Sequence, residues 1–332
     1  MPWKTAQKKA KQKRKIRLAL MTLAFLLVLL LIGQAVRISH SLFSPMSSAQ
    51  RSYIWDSSFN LNLVALTKPL SVISYNPEEG TIKIIEVADE TYLDVPGGYG
   101  SWRAGSIDGL GGVGLLKSSF GNFLGLPIDG FIESEEGRGK SEELVRAFQG
   151  NSVSVIGNLK TDLTPIELAR FLIGVRGVRF DKITAYNLKD LGLLTPSSLA
   201  DGTDILVGDP GKIDALILKN FYENKIVKEG ATIGVFNSTD LPGLAGKSAQ
   251  LISHLGGNVI IQNSLEEKLD HNAVTGQSSY PYTTKRLREI FAPDCERQKN
   301  CAILGVSTSA SPDSIGTGEF SRAHVNLILG SK

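Results

Sequence analysis

The sequence has only two cysteines, four histidines and three methionines in 332 residues, and no acidic residue anywhere in its first 50. Two cysteines exclude a disulfide-dense scaffold and, without a nearby histidine pair, cannot complete a structural zinc site. The histidines His40, His254, His271 and His324 are scattered, none four residues from another His or a Cys. That spacing gives no helical metal pair, and the reading for each is a surface or capping role. The stretch 237–250 is neither a G-x-G-x-x-G nor a Walker sequence, and the chain shows no tandem repeat and no low complexity beyond a basic tail.

The missing N-terminal acids change the meaning of the net charge of +3. Nine Lys or Arg lie within the first 50 residues; taking them from the 36 in the chain leaves 27 against 33 Asp and Glu, about −6 from Arg51 onward. The basic charge therefore belongs to a tail and gives no support for a nucleic-acid-binding body. Behind the tail (residues 1–17) comes "LALMTLAFLLVLLLIGQAV", residues 18–36, an uncharged run of 19 residues. At about 1.5 Å per residue it just spans a hydrocarbon core of roughly 30 Å. It exceeds the usual apolar length of a signal peptide, which favours a retained anchor over a leader ending at Ala35. The cluster of positive charge before it places the tail in the cytoplasm and residues 51–332 outside, a single-pass protein of the plasma membrane that meets the bilayer through residues 18–36. No second run of that length follows. Cys295 and Cys301, in "DCERQKNC", are close enough in sequence for a small disulfide loop in an oxidising compartment; two free thiols are the other reading.

After a Ser-rich linker (37–52), the runs "LNLVAL", "LSVISYN" and "TIKIIEVA" predict strands, with "NPEEG" as a hairpin turn, and together a meander at a sheet edge. Helical spacing follows over 113–124, then a strand in "IDGFIE" and helices in "EELVRAF" and "TPIELARFLIGVR", the last with Thr164, Pro165 and Glu167 as a start signal. Near residues 225–230 a second α/β unit opens. It is read as strand "ATIGVFN", helix "KSAQLISHLG", strand "NVIIQN", helix "TTKRLREIF", strand "CAILGV" and strand "AHVNLILG". The fold class is α/β: an N-terminal transmembrane helix, a mixed α/β sheet unit over 53–224, and a small α/β unit over 230–330.

Chemistry-bearing residues are few. Glu86, Asp89, Glu90 and Asp94 form one carboxylate cluster, and Glu133, Glu135 and Glu136 another. Each is read as a solvated rim in preference to a Mg²⁺ or acid–base site. "NSTDLPGLAGKSAQ", with Asn237 and Gly243, has the local form of a strand-to-helix turn that can present N–H groups to an anion; a plain tight turn is the stronger reading.

Taken together, "LSVISYNPEEGTIKIIEV", "ADETYLDVPGGYG", "WRAGSIDGLGG" and "LLKSSFGNFLGLPIDGFI" resemble the LytR-CpsA-Psr family. "IGVFNSTDLPGLAGKSAQLISHLGGNVI" resembles the C-terminal domain often appended to it. The resemblance implies a membrane-anchored outer domain that moves polyprenyl-pyrophosphate-linked glycopolymer to the cell wall, with wall glycan or envelope proteins as partners. It also implies an Arg-Asp pair where this chain has Asp89 and Glu90, and an Asn where it has Gly105. A pyrophosphate needs cations, and arginine's planar fork suits it; here Lys68, Arg103, Arg138, Lys140 and Arg146 remain in the corresponding stretches. The expectation is a degenerate, catalytically inactive unit with no cofactor. In the alternative, an active transferase, Asp89, Glu90 and Arg103 would be catalytic candidates and Mg²⁺ would be required. Binding candidates in either case are Lys68, Arg103, Asn237 and Gly243.

Overall fold

The computed structural model describes residues 53–134, 139–150, 159–292 and 322–331. The apolar run 18–36, Cys295, Cys301, Glu135, Glu136, Arg138 and the strand expected in "CAILGV" lie outside the described residues. Among the described residues no helix is long and apolar enough to cross a membrane. The protein is mixed α/β. Its first part runs β1 (Leu61–Ala65), β2 (Leu70–Asn76), β3 (Thr81–Val87), β4 (Tyr92–Val95), β5 (Gly100–Arg103), α1 (Ala104–Leu124), β6 (Gly130–Ser134) and α2 (Ser141–Gln149). It continues through β7 (Leu159–Thr161), α3 (Pro165–Arg176), β8 (Ile183–Asn187), β9 (Leu194–Ser198), β10 (Asp204–Gly208) and α4 (Pro210–Asn220).

The meander of β1, β2 and β3 forms as its β-branched runs predict, and Asn76 makes the turn by accepting the N–H groups of Glu78 and Glu79. Its place in the sheet differs from the expectation. The order is β7-β6-β1-β2-β3-β8, so the meander is central and not an edge. All five residues of β1 are buried, which requires cover on both faces, and an uninterrupted apolar strand of this kind belongs in a sheet interior. On one face Val64, Val72, Ile85 and Val87 pack with Leu116 and Phe120 of α1 and Ile213 and Ile217 of α4. On the other, Leu63, Ile73 and Ile84 pack with Phe148 of α2 and Phe171 of α3.

Helix α1 begins about nine residues earlier than its apolar spacing suggests. Ile107 is buried and anchors that first stretch, but glycines at 109, 111, 112 and 114 dilute the pattern. The helix breaks at Gly111 and Gly112, the latter at φ 71°, a left-handed conformation that a side chain resists. In α3 the start signal is realised: Thr164 Oγ1 accepts the Glu167 N–H at 3.3 Å, and Glu167 Oε2 accepts the Thr164 N–H at 2.7 Å.

Gly174 of α3 faces Tyr75 of β2: a Cβ there would lie 2.7 Å from the ring Cζ. Helix propensity favours Gly174→Ala by about 1 kcal/mol, but overpacking costs about 1–3 kcal/mol, and Tyr75 is wedged between Trp55 and Phe171. We expect a net loss in thermal stability that disappears in a Tyr75→Leu background. A stabilising Gly174→Ala in the native background would refute this packing account.

The chain then forms α5 (Asn224–Glu229), β11 (Thr232–Asn237), α6 (Leu244–His254), β12 (Asn258–Ser264), β13 (Ala273–Gly276), α7 (Pro281–Phe291) and β14 (Val325–Leu329). These strands make a separate sheet, β12-β11-β14-β13, with β11 parallel to both neighbours. Ile233, Val235, Ile252, Leu287 and Leu327 are its core.

Candidate functional site

Strand pairing fixes where a ligand would meet the large sheet. β2 is antiparallel to β1 and β3, while β6 and β8 are parallel to β1 and β3, so four strands end at the same rim. Crevices outside the carboxyl ends of such strands are the usual ligand positions in α/β sheets. The loops leaving β1 and β3 at this rim carry Lys68, Asp89 and Glu90, and Lys140 precedes α2 beyond β6.

The structure brings several of the sequence candidates together. The Lys68 N–H donates to the Gly139 carbonyl at 3.0 Å, so the Lys68 and Lys140 segments are adjacent, and both side chains are exposed. The Asp89 carboxylate accepts the Leu70 N–H at 3.4 Å, and its carbonyl accepts the Gly105 N–H at 3.0 Å. A Cβ at Gly105 would lie 2.9 Å from the Asp89 Cβ, so a side chain at 105 would collide with Asp89. Arg103 Nη2 lies 3.8 Å from Glu90 Oε1, and the hairpin of β4 and β5 makes that meeting possible by folding residue 103 back onto Tyr92. Both partners are well exposed, so the pair contributes little to stability.

Other candidates have local work. Glu86 accepts the Ser141 hydroxyl and the Asn187 side-chain amide, fastening α2 and β8 to β3. Asp94 is exposed, and Glu133 lies 3.9 Å from Lys160. Arg146 pairs with Glu142 on its own helix and stands 5.5 Å from the centre of the Phe180 ring. Among the described residues no three His, Cys, Asp or Glu side chains converge as a metal site. The Asn237 side chain accepts the Thr239 N–H and hydroxyl at 2.9 and 2.7 Å and donates to the Leu241 carbonyl at 2.8 Å. Both halves of its amide are thereby used to build the turn, and Gly243, at φ 78°, supplies the left-handed residue before α6.

Sequence reasoning missed a fully buried cation. Arg286 of α7 is 1% exposed, with Nε 2.9 Å from Glu223 and Nη1 3.6 Å from Asp129, and its guanidinium lies 3.9 Å from the centre of the Phe59 ring. Tyr282 donates to Glu223 at 2.8 Å. Burial holds the Glu223 carboxyl above its usual range despite Arg286, and burial followed by the Glu223 charge raises the Tyr282 phenol. Burial would lower the guanidinium, but Glu223 and then Asp129 more than offset it, so Arg286 stays charged. A signal existed: Asp129 sits inside an apolar run, and Arg286 shares a helical stripe with Thr283 and Leu287. Of the surface or capping role read for the histidines, His254 departs from the surface half and sits against the Gly125 C-cap of α1. It is 1% exposed, with Nδ1 2.9 Å from the Gly125 carbonyl and Nε2 3.5 Å from Asp214, so it joins α6 to the end of α1 and to α4.

No family model matches the chain, and no curated protein matches it. Among solved structures, Bacillus subtilis TagT is 14% identical, with 52% of this chain and 96% of that one covered and a TM-score of 0.38. The LytR-CPS2A-psr family protein YwtF (TagT) with bound octaprenyl pyrophosphate lipid gives 14% identity, 52% and 93% coverage and a TM-score of 0.36. The Lin1025 protein from Listeria innocua gives 11%, 48% and 94%, and 0.37. Likenesses of this size leave the functional reading to the residues themselves.

Proposed function

We propose that this is a membrane-anchored, extracytoplasmic envelope protein whose LytR-CpsA-Psr-like unit binds or scaffolds cell-wall components without transferring glycopolymer. The observation that carries the reading is Asp89. Where the sequence resemblance calls for a phosphate-holding arginine, a carboxylate stands at the rim, bonded to the Leu70 N–H and packed against Gly105. It repels a diphosphate, and the nearby Arg103 is already beside Glu90. Charge-assisted hydrogen bonds of about 1.5–3 kcal/mol each are thereby lost to a pyrophosphate.

One observation favours the transferase instead: Lys68 and Lys140 lie on adjacent segments of the same rim. In that reading Asp89 and Glu90 would hold Mg²⁺, whose charge would offset that of a diphosphate. The purified chain in detergent, titrated with polyprenyl pyrophosphate, separates the two. We expect binding no tighter than to an unrelated acidic protein, and Asp89→Arg changing little, because one cation cannot orient a diphosphate alone. Micromolar binding or glycan transfer that Arg103→Ala abolishes would replace the scaffold with the transferase.

A further inference from the structure

Residues 168–182, "LARFLIGVRGVRFDK", carry four basic residues and one acid on the part of the chain that combines α3 with the turn after it. Ile173 and Phe180 are each 71% exposed, the highest values among the exposed large apolar side chains of the described residues. Ala169, Ile173 and Arg176 are the exposed stripe of α3, and Arg179, Phe180, Asp181 and Lys182 continue the exposed surface beyond it. Arg176 and Lys182 donate to the carbonyls of Gly150 and Glu79, and among the described residues neither forms an ion pair. Arg179 pairs with Asp181 at 3.0 Å, and Arg146 stands over the Phe180 ring. Apolar side chains this exposed, set among cations, are costly in water and suited to an anionic surface with an apolar interior.

The fold places this surface where the chain arrives from the apolar run. The Trp55 N–H donates to Glu167 and the Trp55 carbonyl accepts from Arg170, so the entering strand of chain is clamped onto α3. Ile173 is three residues past Arg170, about 4.5 Å along the helix. The 16 residues between the run and Tyr53 can reach no further than about 53–58 Å. Any surface beside Tyr53 and Trp55 is thus held within reach of the bilayer, at a high effective concentration.

We propose that the exposed face of α3 and the Arg179–Lys182 turn dock on the anionic phospholipid surface next to the anchor, inserting Ile173 and Phe180 among the headgroups. This fixes the orientation of the body, so that the loop rim faces a set direction relative to the membrane. The inference rests on the anchored reading of residues 18–36.

The test uses the full chain reconstituted in nanodiscs, with Phe180→Trp as probe and the unsubstituted chain as background. In discs rich in brominated phosphatidylglycerol the added emission should be quenched, and in brominated phosphatidylcholine discs it should not. Raising the salt should relieve the quenching, because the docking is partly electrostatic. Arg176→Gln with Arg179→Gln should weaken the contact about thirtyfold, two cations being removed from an anionic surface. Emission from the introduced indole that is equal in brominated and plain anionic discs overturns the proposal while leaving the anchor intact. A probe signal that ignores lipid and shifts with a soluble anionic glycopolymer also overturns it, reassigning the face to wall polymer. A chain not retained by the discs at all removes the anchor and the proposal together.

Discussion

Arg286→Ala is expected to cost about 3–5 kcal/mol of stability, since truncating one partner of a buried ion pair strands the other charges. The two carboxylates it serves belong to different parts of the fold: Asp129 precedes β6 of the large sheet, and Glu223 lies between α4 and α5. Asp129 also accepts the Asn62 N–H at 2.7 Å, so it cannot turn away to water without opening the sheet. Loss of the guanidinium therefore loosens α7, and with it the C-terminal sheet, from the three-layer unit. Arg286→Met should recover little, because volume is restored and charge is not. Combining it with Glu223→Gln should recover more, because fewer unpaired charges remain buried.

The pH dependence follows from burial. Glu223 already has a raised folded-state pKa, and without Arg286 it rises further. A carboxyl with a raised folded pKa binds protons more tightly in the native state, so its stabilisation is fully present below the unfolded value near 4.5 and is lost as pH rises through the folded value. The deficit of Arg286→Ala should thus be largest at neutral pH and shrink as the solution is acidified toward 4.5. Thermal unfolding of the full chain in detergent, at several pH values, reads this directly. A deficit below about 1 kcal/mol, the range of an exposed pair, or one that ignores pH, would mean that the cluster is not a coupled buried unit.

What could be seen in the sequence was local. The start of α3 is visible because Thr164, Pro165 and Glu167 act on one another across three residues. The strands β1, β2, β3, β11 and β12 are visible as apolar or β-branched runs. The hairpin of β9 and β10 is not, since "LTPSS" is mostly exposed and carries a proline and two serines that read as loop. The central position of the meander depends on β6 and β8 pairing with β1 and β3 from far along the chain, and no local pattern reports that. At the candidate site Asp89 draws notice only through the sequence resemblance, which implies an arginine there. The closure of Gly105 by Asp89 is not, because it exists only after β4 and β5 fold one segment onto the other. Arg286 lies in "TTKRLREIF", where Lys285 and Arg288 look alike, and only the packed helix shows which cation turns inward.

Trp55→Ala should cost about 3–5 kcal/mol, the range for truncating a fully buried large aromatic, and its effect should reach beyond the core. The side chain is 0% exposed, its ring meets Tyr75 edge-on at 6.1 Å, and its indole N–H donates to the Phe59 carbonyl at 2.9 Å. Its backbone is held separately, by Glu167 and Arg170 of α3. The Glu167 carboxylate thus serves the helix start and the entering chain at once, accepting from Thr164 through one oxygen and from Trp55 through the other. With alanine at 55 the backbone bonds remain available but lose the packing that aligns them, and the Phe59 carbonyl loses its donor. Trp55→Phe keeps most of the apolar area and loses only the indole hydrogen bond, so its cost should be smaller by about 2 kcal/mol or more. Glu167→Ala should act on both functions, lowering stability and raising amide exchange in the first turn of α3 and at Trp55 together. Hydrogen exchange followed by mass spectrometry distinguishes these outcomes. Protection of the α3 start that survives Trp55→Ala, with a melting temperature within a degree or two of the native chain, would show that the entering segment is not clamped by this residue.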